Sequence, residues 1–201
     1  MSKLAVGLDV VSSTVVAWAM RPKLLILSAD PSQKLTCEAE FGELRASLAT
    51  QLEIIGIHGM SPDTIASDVH RASPEFLHIA CHVEEDGRMH VHRDGSPLGF
   101  DFHALKSMLK AGLGGRRLKQ IVLSTCYGAY YLSELLEIAD VVIGFRGRVP
   151  DRLLTDLMPR LYRYLFTPDV NVATAMTWAQ AYANYYTPNL DGWLVVEATA
   201  P

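Results

Sequence analysis

Short runs in which nearly every residue is apolar recur along the chain: KLLILSA at 23–29, FLHIAC at 76–81, QIVLS at 120–124 and DVVIGF at 140–145. A strand with one wet face alternates apolar and polar side chains, so an unbroken apolar run marks a strand covered on both faces. Such cover requires helices, and the segments between the runs have helical spacing. Residues 38–52, for example, place Phe41, Leu44, Leu48 and Leu52 on one face. This alternation is that of β-α-β units around a mostly parallel sheet, an α/β fold. The spacing predicts further strands at 53–57 and 192–197, and further helices at 102–111, 130–138, 151–166 and 170–186. Ser61-Pro62-Asp63 reads as a helix start, with Ser at the N-cap and Pro at the first position. A hairpin strand at 88–93 follows the acidic turn Glu84-Glu85-Asp86-Gly87. The longest turn-rich stretch, 94–99, is too short to separate two domains, and neither repeats nor low-complexity runs occur.

With 49% hydrophobic and 20% charged residues, a chain of 201 residues can bury a single large core, which excludes disorder and coiled coil. Three cysteines, Cys37, Cys81 and Cys126, make an odd count without C-x-x-C spacing. That argues against a disulfide framework and a zinc module, and for free thiols in a reducing, cytoplasmic setting. A formal charge of −4 supplies no field for nucleic acid, and Arg116, Arg117 and Lys119 read as a solvated loop. Lys3 precedes an apolar stretch ending Ala17-Trp18-Ala19, but Asp9 and Ser12-Ser13-Thr14 interrupt it, so neither a signal peptide nor a membrane span is expected. Residues 1–22 are expected to form a β-hairpin extension packed on the domain. The stretch VGLDVVSSTVVAWAM resembles the first phosphate-binding hairpin of sugar kinases and actin-like ATPases. Val11 stands where that hairpin has Gly and no second phosphate loop follows, so no nucleotide cofactor is expected.

In an open α/β sheet, ligands bind outside the carboxyl ends of parallel strands. His82 and Cys126 both stand at such ends. A thiol is a nucleophile as thiolate, favoured by a helix N-terminus or a nearby imidazolium, and a histidine can carry a proton to a leaving amine. The other reading is a buried Cys acting as a small hydrophobe and His82 as a strand terminator. Cys81 is expected on the opposite face, as a core thiol. His90 and His92, with His82, lack a carboxylate at ligand spacing and read as a hairpin surface, so no metal is expected. Tyr127, Tyr130 and Tyr131 either border a groove or pack on the sheet.

From Leu24 onward the chain resembles the CHAT domain, a branch of the caspase-like cysteine peptidases that includes separase relatives. LLILSADPSQKLTCEAEFGELRASL looks like that family's opening strand, turn and first helix, and PEFLHIACHVEEDG like its histidine motif. IVLSTCYGA looks like its cysteine motif, ADVVIGFRGRVPDRLLTDLMPRLYRYL like its next strand and helix, and DGWLVVEA like its closing strand. The resemblance implies a caspase-like three-layer sandwich over 23–201, with Cys126 as nucleophile and His82 as general acid/base. It also implies that the N–H groups of Val83 and Cys126 bind the oxyanion. The family has Gly where this chain has Val83, so a distorted oxyanion hole and a pseudo-peptidase that only holds peptides form the alternative. Arg146 and Arg148 are candidates for an acid-accepting substrate pocket, and Glu84, Glu85 and Asp86 for attracting a basic chain. Only residues 129–139 lie between the cysteine motif and Asp140, too few for a long cleavable loop. Activation by a binding partner or self-association is therefore expected, with a protein or peptide as substrate. A bacterial defence or signalling role is implied by resemblance alone.

Overall fold

The computed structural model describes residues 21–30, 37–93, 96–187 and 193–199. The hairpin expected at 1–22 lies, but for its last two residues, outside the described residues, as does most of the turn after Asp30. In chain order the elements are β1 (Lys23–Ala29), α1 (Cys37–Leu48), β2 (Glu53–His58), α2 (Ile65–Ala72), β3 (Phe76–Cys81), β4 (Met89–Arg93) and β5 (Ser96–Phe100). There follow α3 (Phe102–Leu113), β6 (Leu118–Ser124), a 3-10 turn (Gly128–Tyr131), α4 (Leu132–Leu135), β7 (Ala139–Phe145), α5 (Asp151–Leu165), α6 (Val172–Tyr186) and β8 (Leu194–Ala198).

The main sheet has the order β2-β1-β3-β6-β7-β8. Its strands pair in parallel except for β8, which runs antiparallel to β7. The apolar runs are continuous because their alternate residues serve two cores. Leu24, Ile26, Val122 and Ile143 pack with α1, α5 and α6, while Leu25, Leu27, Ile79 and Val142 pack with α2, α3 and α4. Burying each such side chain is worth about 1.5–3 kcal/mol. Helices thus cover both faces, an arrangement compatible with a three-layer sandwich. No helix among the described residues is long and apolar enough to cross a membrane.

Three sequence expectations need correction. Ser61 closes a turn, accepting from the Thr64 and Ile65 N–H groups through its carbonyl, and α2 begins only at Ile65. The helix expected at 130–138 is a 3-10 turn followed by the four-residue α4, because the Glu137 and Ile138 N–H groups turn to the carbonyls three residues back, Glu134 and Leu135, and lead into β7. β5 lies in the stretch read as turn, since Pro97 and Gly99 are poor strand formers and only pairing with β4 makes them extended.

The chain moves from β1 outward to β2, then crosses to β3 and proceeds the other way through β6 and β7. The carboxyl ends of the parallel strands beside that reversal are where such folds open a crevice. β3 and β6 are neighbours in constant register, from Phe76↔Gln120 to Ala80↔Ser124. His82 and Cys126 each follow the final register pair by two residues, so the sheet sets them side by side at one edge.

Candidate active site

A cleft of about 650 Å³ opens at this edge. His82 and residues 83–86 line one side, and Cys126, Tyr127, Arg148 and Val149 the other. Cys126 is the half-exposed thiol of the three, whereas Cys37 and Cys81 are buried. Burial, then the nearby Glu40 carboxylate, pushes the Cys37 thiol up to about 12. Burial likewise pushes Cys81 far above the ordinary range, and it packs among Leu77 and Ile79 as a core thiol. Both are held neutral, which leaves Cys126 as the sulfur accessible for chemistry.

The turn around Cys126 is tied to the loop after β7. The Val149 N–H donates to Cys126 Sγ at 3.5 Å, and the Tyr127 N–H donates to the Gly147 carbonyl at 2.9 Å. Tyr127 adopts φ +57°, a left-handed conformation uncommon for a residue with a side chain, so backbone strain sits immediately after the sulfur. Gly128 is required by space: a Cβ there would lie 2.8 Å from Thr125 Oγ1 and 3.0 Å from Leu123 Cβ. The helix expected to start here is too short to supply a sizeable dipole, so the directed donor on the sulfur is the Val149 N–H.

His82 begins a hairpin. The His90 N–H donates to the His82 carbonyl at 2.8 Å and the Glu84 N–H to the Arg88 carbonyl at 2.9 Å, with Val83 facing Met89 between them. In such an antiparallel pattern the residue between the bonded pairs turns its own N–H away from the partner strand. Val83 is 2% exposed with its side chain in the core, and it is not among the described side-chain-bearing residues with positive φ. The Val at this position is therefore unstrained.

The charged residues separate by environment. Arg148 lines the cleft, and its hydrogen bond with the Tyr127 side chain raises it further above its ordinary value, with Glu85 adding attraction. Arg146 is exposed and stands apart from the cleft lining, its N–H donating to the Trp193 carbonyl at 2.7 Å. Both oxygens of Glu84 are engaged, Oε1 by His90 Nε2 at 2.8 Å and Oε2 by Arg88 Nη2 at 3.2 Å. Asp86 is held below its usual range by the Arg88 N–H and guanidinium.

Beneath the cleft lies a buried polar network that sequence reasoning missed. Glu40, 4% exposed on α1, accepts from the Ser124 hydroxyl at 2.7 Å. Glu40 Oε1 is also 3.1 Å from His78 Nε2, off the direction of a hydrogen bond, so that contact is electrostatic and undirected. His78 Nδ1 meets the Tyr162 hydroxyl at 3.1 Å. A cavity of about 30 Å³ adjoins both this network and the cleft, lined by Glu40 and Ser124 of the network and by His82 and Cys126, with Cys37 and Asp151 beside them. The available signal was a Glu inside an otherwise apolar helix face and a His within FLHIAC.

Tyr131 stacks on Phe102 with ring centroids 4.0 Å apart, while Tyr127 lines the cleft, so the two tyrosines divide between packing and groove; Tyr130 is exposed. Among the described residues, no group of three or more His, Cys, Asp and Glu is arranged to hold a metal ion. In comparisons with known proteins, no family model and no curated protein matches the chain.

Proposed function

We propose that residues 23–201 form a caspase-like peptidase domain of CHAT type, in which Cys126 and His82 cleave a protein or peptide substrate. The observation that carries this reading is the convergence of the half-exposed thiol and His82 on one cleft at the carboxyl edge of the sheet. His82 takes the thiol proton as Cys126 Sγ attacks the scissile carbonyl carbon, and the oxyanion that forms accepts from the N–H groups of Val83 and Cys126. His82 delivers the proton to the departing amine, and water then resolves the thioester, giving its proton to His82. The unstrained, core-packed Val83 supports an intact backbone at the oxyanion position. A thiol nucleophile suits a reducing, cytoplasmic setting, and the resemblance adds a regulated role in bacterial defence or signalling. Residues 129–139 are taken up by the 3-10 turn, α4 and the start of β7, which favours activation by a partner or by self-association over self-cleavage.

The test is a panel of peptide acyloxymethyl ketones with Asp, Arg, Lys or Leu before the warhead, read by intact mass. Wild type, Cys126→Ala and His82→Ala are run together. A stoichiometric adduct lost in both variants supports the dyad, and the preferred warhead reports the sign of charge the cleft accepts. Absence of any adduct, while iodoacetamide still reaches Cys126, rejects a dyad assembled in the isolated chain and leaves the peptide-holding pseudo-peptidase or an enzyme awaiting its partner.

A further inference from the structure

The hairpin after β3 places His82, Glu84, Arg88 and His90 on one face. His82 lies directly opposite His90, and Glu84 opposite Arg88, as the two backbone bonds across the Val83↔Met89 bridge require. The rings of His82 and His90 meet nearly at right angles, 77°, with centroids 4.9 Å apart. His90 is itself anchored, since Glu84 Oε1 accepts from its Nε2 at 2.8 Å. Glu84 is anchored in turn by Arg88 Nη2 at 3.2 Å, and Arg88 Nε by Asp86 Oδ2 at 2.8 Å. His90 is 29% exposed and Glu84 39%, so neither is held by burial and each bond restrains a side chain that would otherwise rotate.

We propose that His90, locked by Glu84, is a positioning residue for His82: it walls off one side of the imidazole and fixes the ring plane in which His82 faces the cleft. The proposal rests on the dyad reading above and assigns Glu84 to orienting the site rather than to meeting substrate. A histidine free to turn presents its nitrogen to the sulfur only part of the time, and orientation is a large part of what a site contributes. The titratable and charged groups that face His82 and His90 are Glu84, Glu85, Asp86 and Arg88 on the hairpin, Cys126 and Tyr127 after β6, Arg148 after β7 and, around the small cavity below, Cys37, Glu40, Cys81 and Asp151.

Two readouts test it on the full chain. The first is the rate of Cys126 alkylation by iodoacetamide between pH 5 and 9. Glu84→Ala and His90→Ala are each expected to slow alkylation at pH 6 on the order of tenfold, below the ~100-fold that a 1 Å misplacement can cost. The double variant should lose no more than either single one, and Glu84→Gln, which keeps an acceptor for His90 but not the one Arg88 uses, should lose clearly less than Glu84→Ala. At pH 9, where an ordinary thiol is already largely ionised, all should converge. The second readout is the ring-nitrogen signals of His82 in histidine-labelled protein, expected to shift in Glu84→Ala and His90→Ala. They should stay in place in Arg93→Ala, a variant at the far end of β4. Unchanged ring signals, additive rate losses, or a Glu84→Gln loss equal to that of Glu84→Ala would each overturn the proposal. A pH profile that His82→Ala leaves unmoved would remove the dyad itself, and the ring signals would then decide separately whether His90 and Glu84 orient His82. Thermal melts of every variant exclude unfolding as the cause.

Discussion

Replacing Glu40 with Ala measures what the buried network beneath the cleft contributes. The carboxylate is 4% exposed, accepts from Ser124 Oγ at 2.7 Å and lies 3.1 Å from His78 Nε2, itself in a fully buried residue. Its removal deletes a hydrogen bond to a charged acceptor, worth about 1.5–3 kcal/mol, and orphans the buried Ser124 hydroxyl at about 1–3 kcal/mol. The expected loss is therefore about 3–5 kcal/mol, within the range for breaking one side of a buried charged contact. At about 2–4 °C per kcal/mol for a chain of this size, the melting temperature should fall by roughly 6–20 °C. Ser124→Ala keeps the His78 contact and should cost only about 1–2 kcal/mol. Because both substitutions delete the same bond, the double variant should cost less than the two together, by about 1 kcal/mol. Urea unfolding at pH 7 followed by far-UV circular dichroism gives each value from the midpoint and slope. A Glu40→Ala loss below 1 kcal/mol, or a strictly additive pair, would refute the idea that this carboxylate holds the network together.

Alkaline stability is a second consequence. Burial raises Cys37 from 9.0 to about 12 and also raises Cys81 and Tyr162, so each binds its proton more tightly folded than unfolded. That contribution is whole below the unfolded values and is lost as pH rises towards the folded ones. Above pH 9 each thiol should cost about 1.4 kcal/mol per pH unit. A urea midpoint that stays level from pH 8 to pH 10 would contradict this, and Cys37→Ala should flatten the decline. Gly128→Ala drives a Cβ to 2.8 Å from Thr125 Oγ1 and should destabilise by about 1–3 kcal/mol while slowing alkylation of Cys126. Gly87→Ala should cost more than Gly114→Ala. Both have positive φ, worth about 1–2 kcal/mol of strain, but only at Gly87 does the Tyr131 hydroxyl occupy the space a Cβ needs. Equal losses in urea would show that Tyr131 does not seat the acidic hairpin.

The inner strands of the main sheet, β1, β3, β6 and β7, were legible because they are buried on both faces, which writes an apolar run into the chain whatever the neighbours are. The long helices were legible from their spacing, and α5 runs through Pro159 as its apolar pattern predicts. β5 and the early end of α4 were not, since SPLGF is extended only through its partner β4, and the segment after Cys126 tightens into a turn at Glu137 and Ile138 to enter β7. Ser61 misled for a related reason: a capping residue and a turn-closing residue carry the same local chemistry.

At the site, position was readable and environment was not. His82 and Cys126 could be placed at strand ends from the apolar runs alone, because a run's end is a local property. Arg148 on the cleft and Arg146 off it, Glu84 bound to His90, and Glu40 beneath Ser124 all join residues distant in the chain or opposite in a hairpin register that no local pattern encodes. The left-handed Tyr127 likewise has no marker in the sequence, for it is held there by the Gly147 carbonyl and Arg148 from another loop. The amino-acid order by itself determined the alternation of strands and helices, hence the edge at which a site can form. Which charges point into that edge, and which are spent on one another, is a matter of through-space distance, and only the tertiary structure decided it.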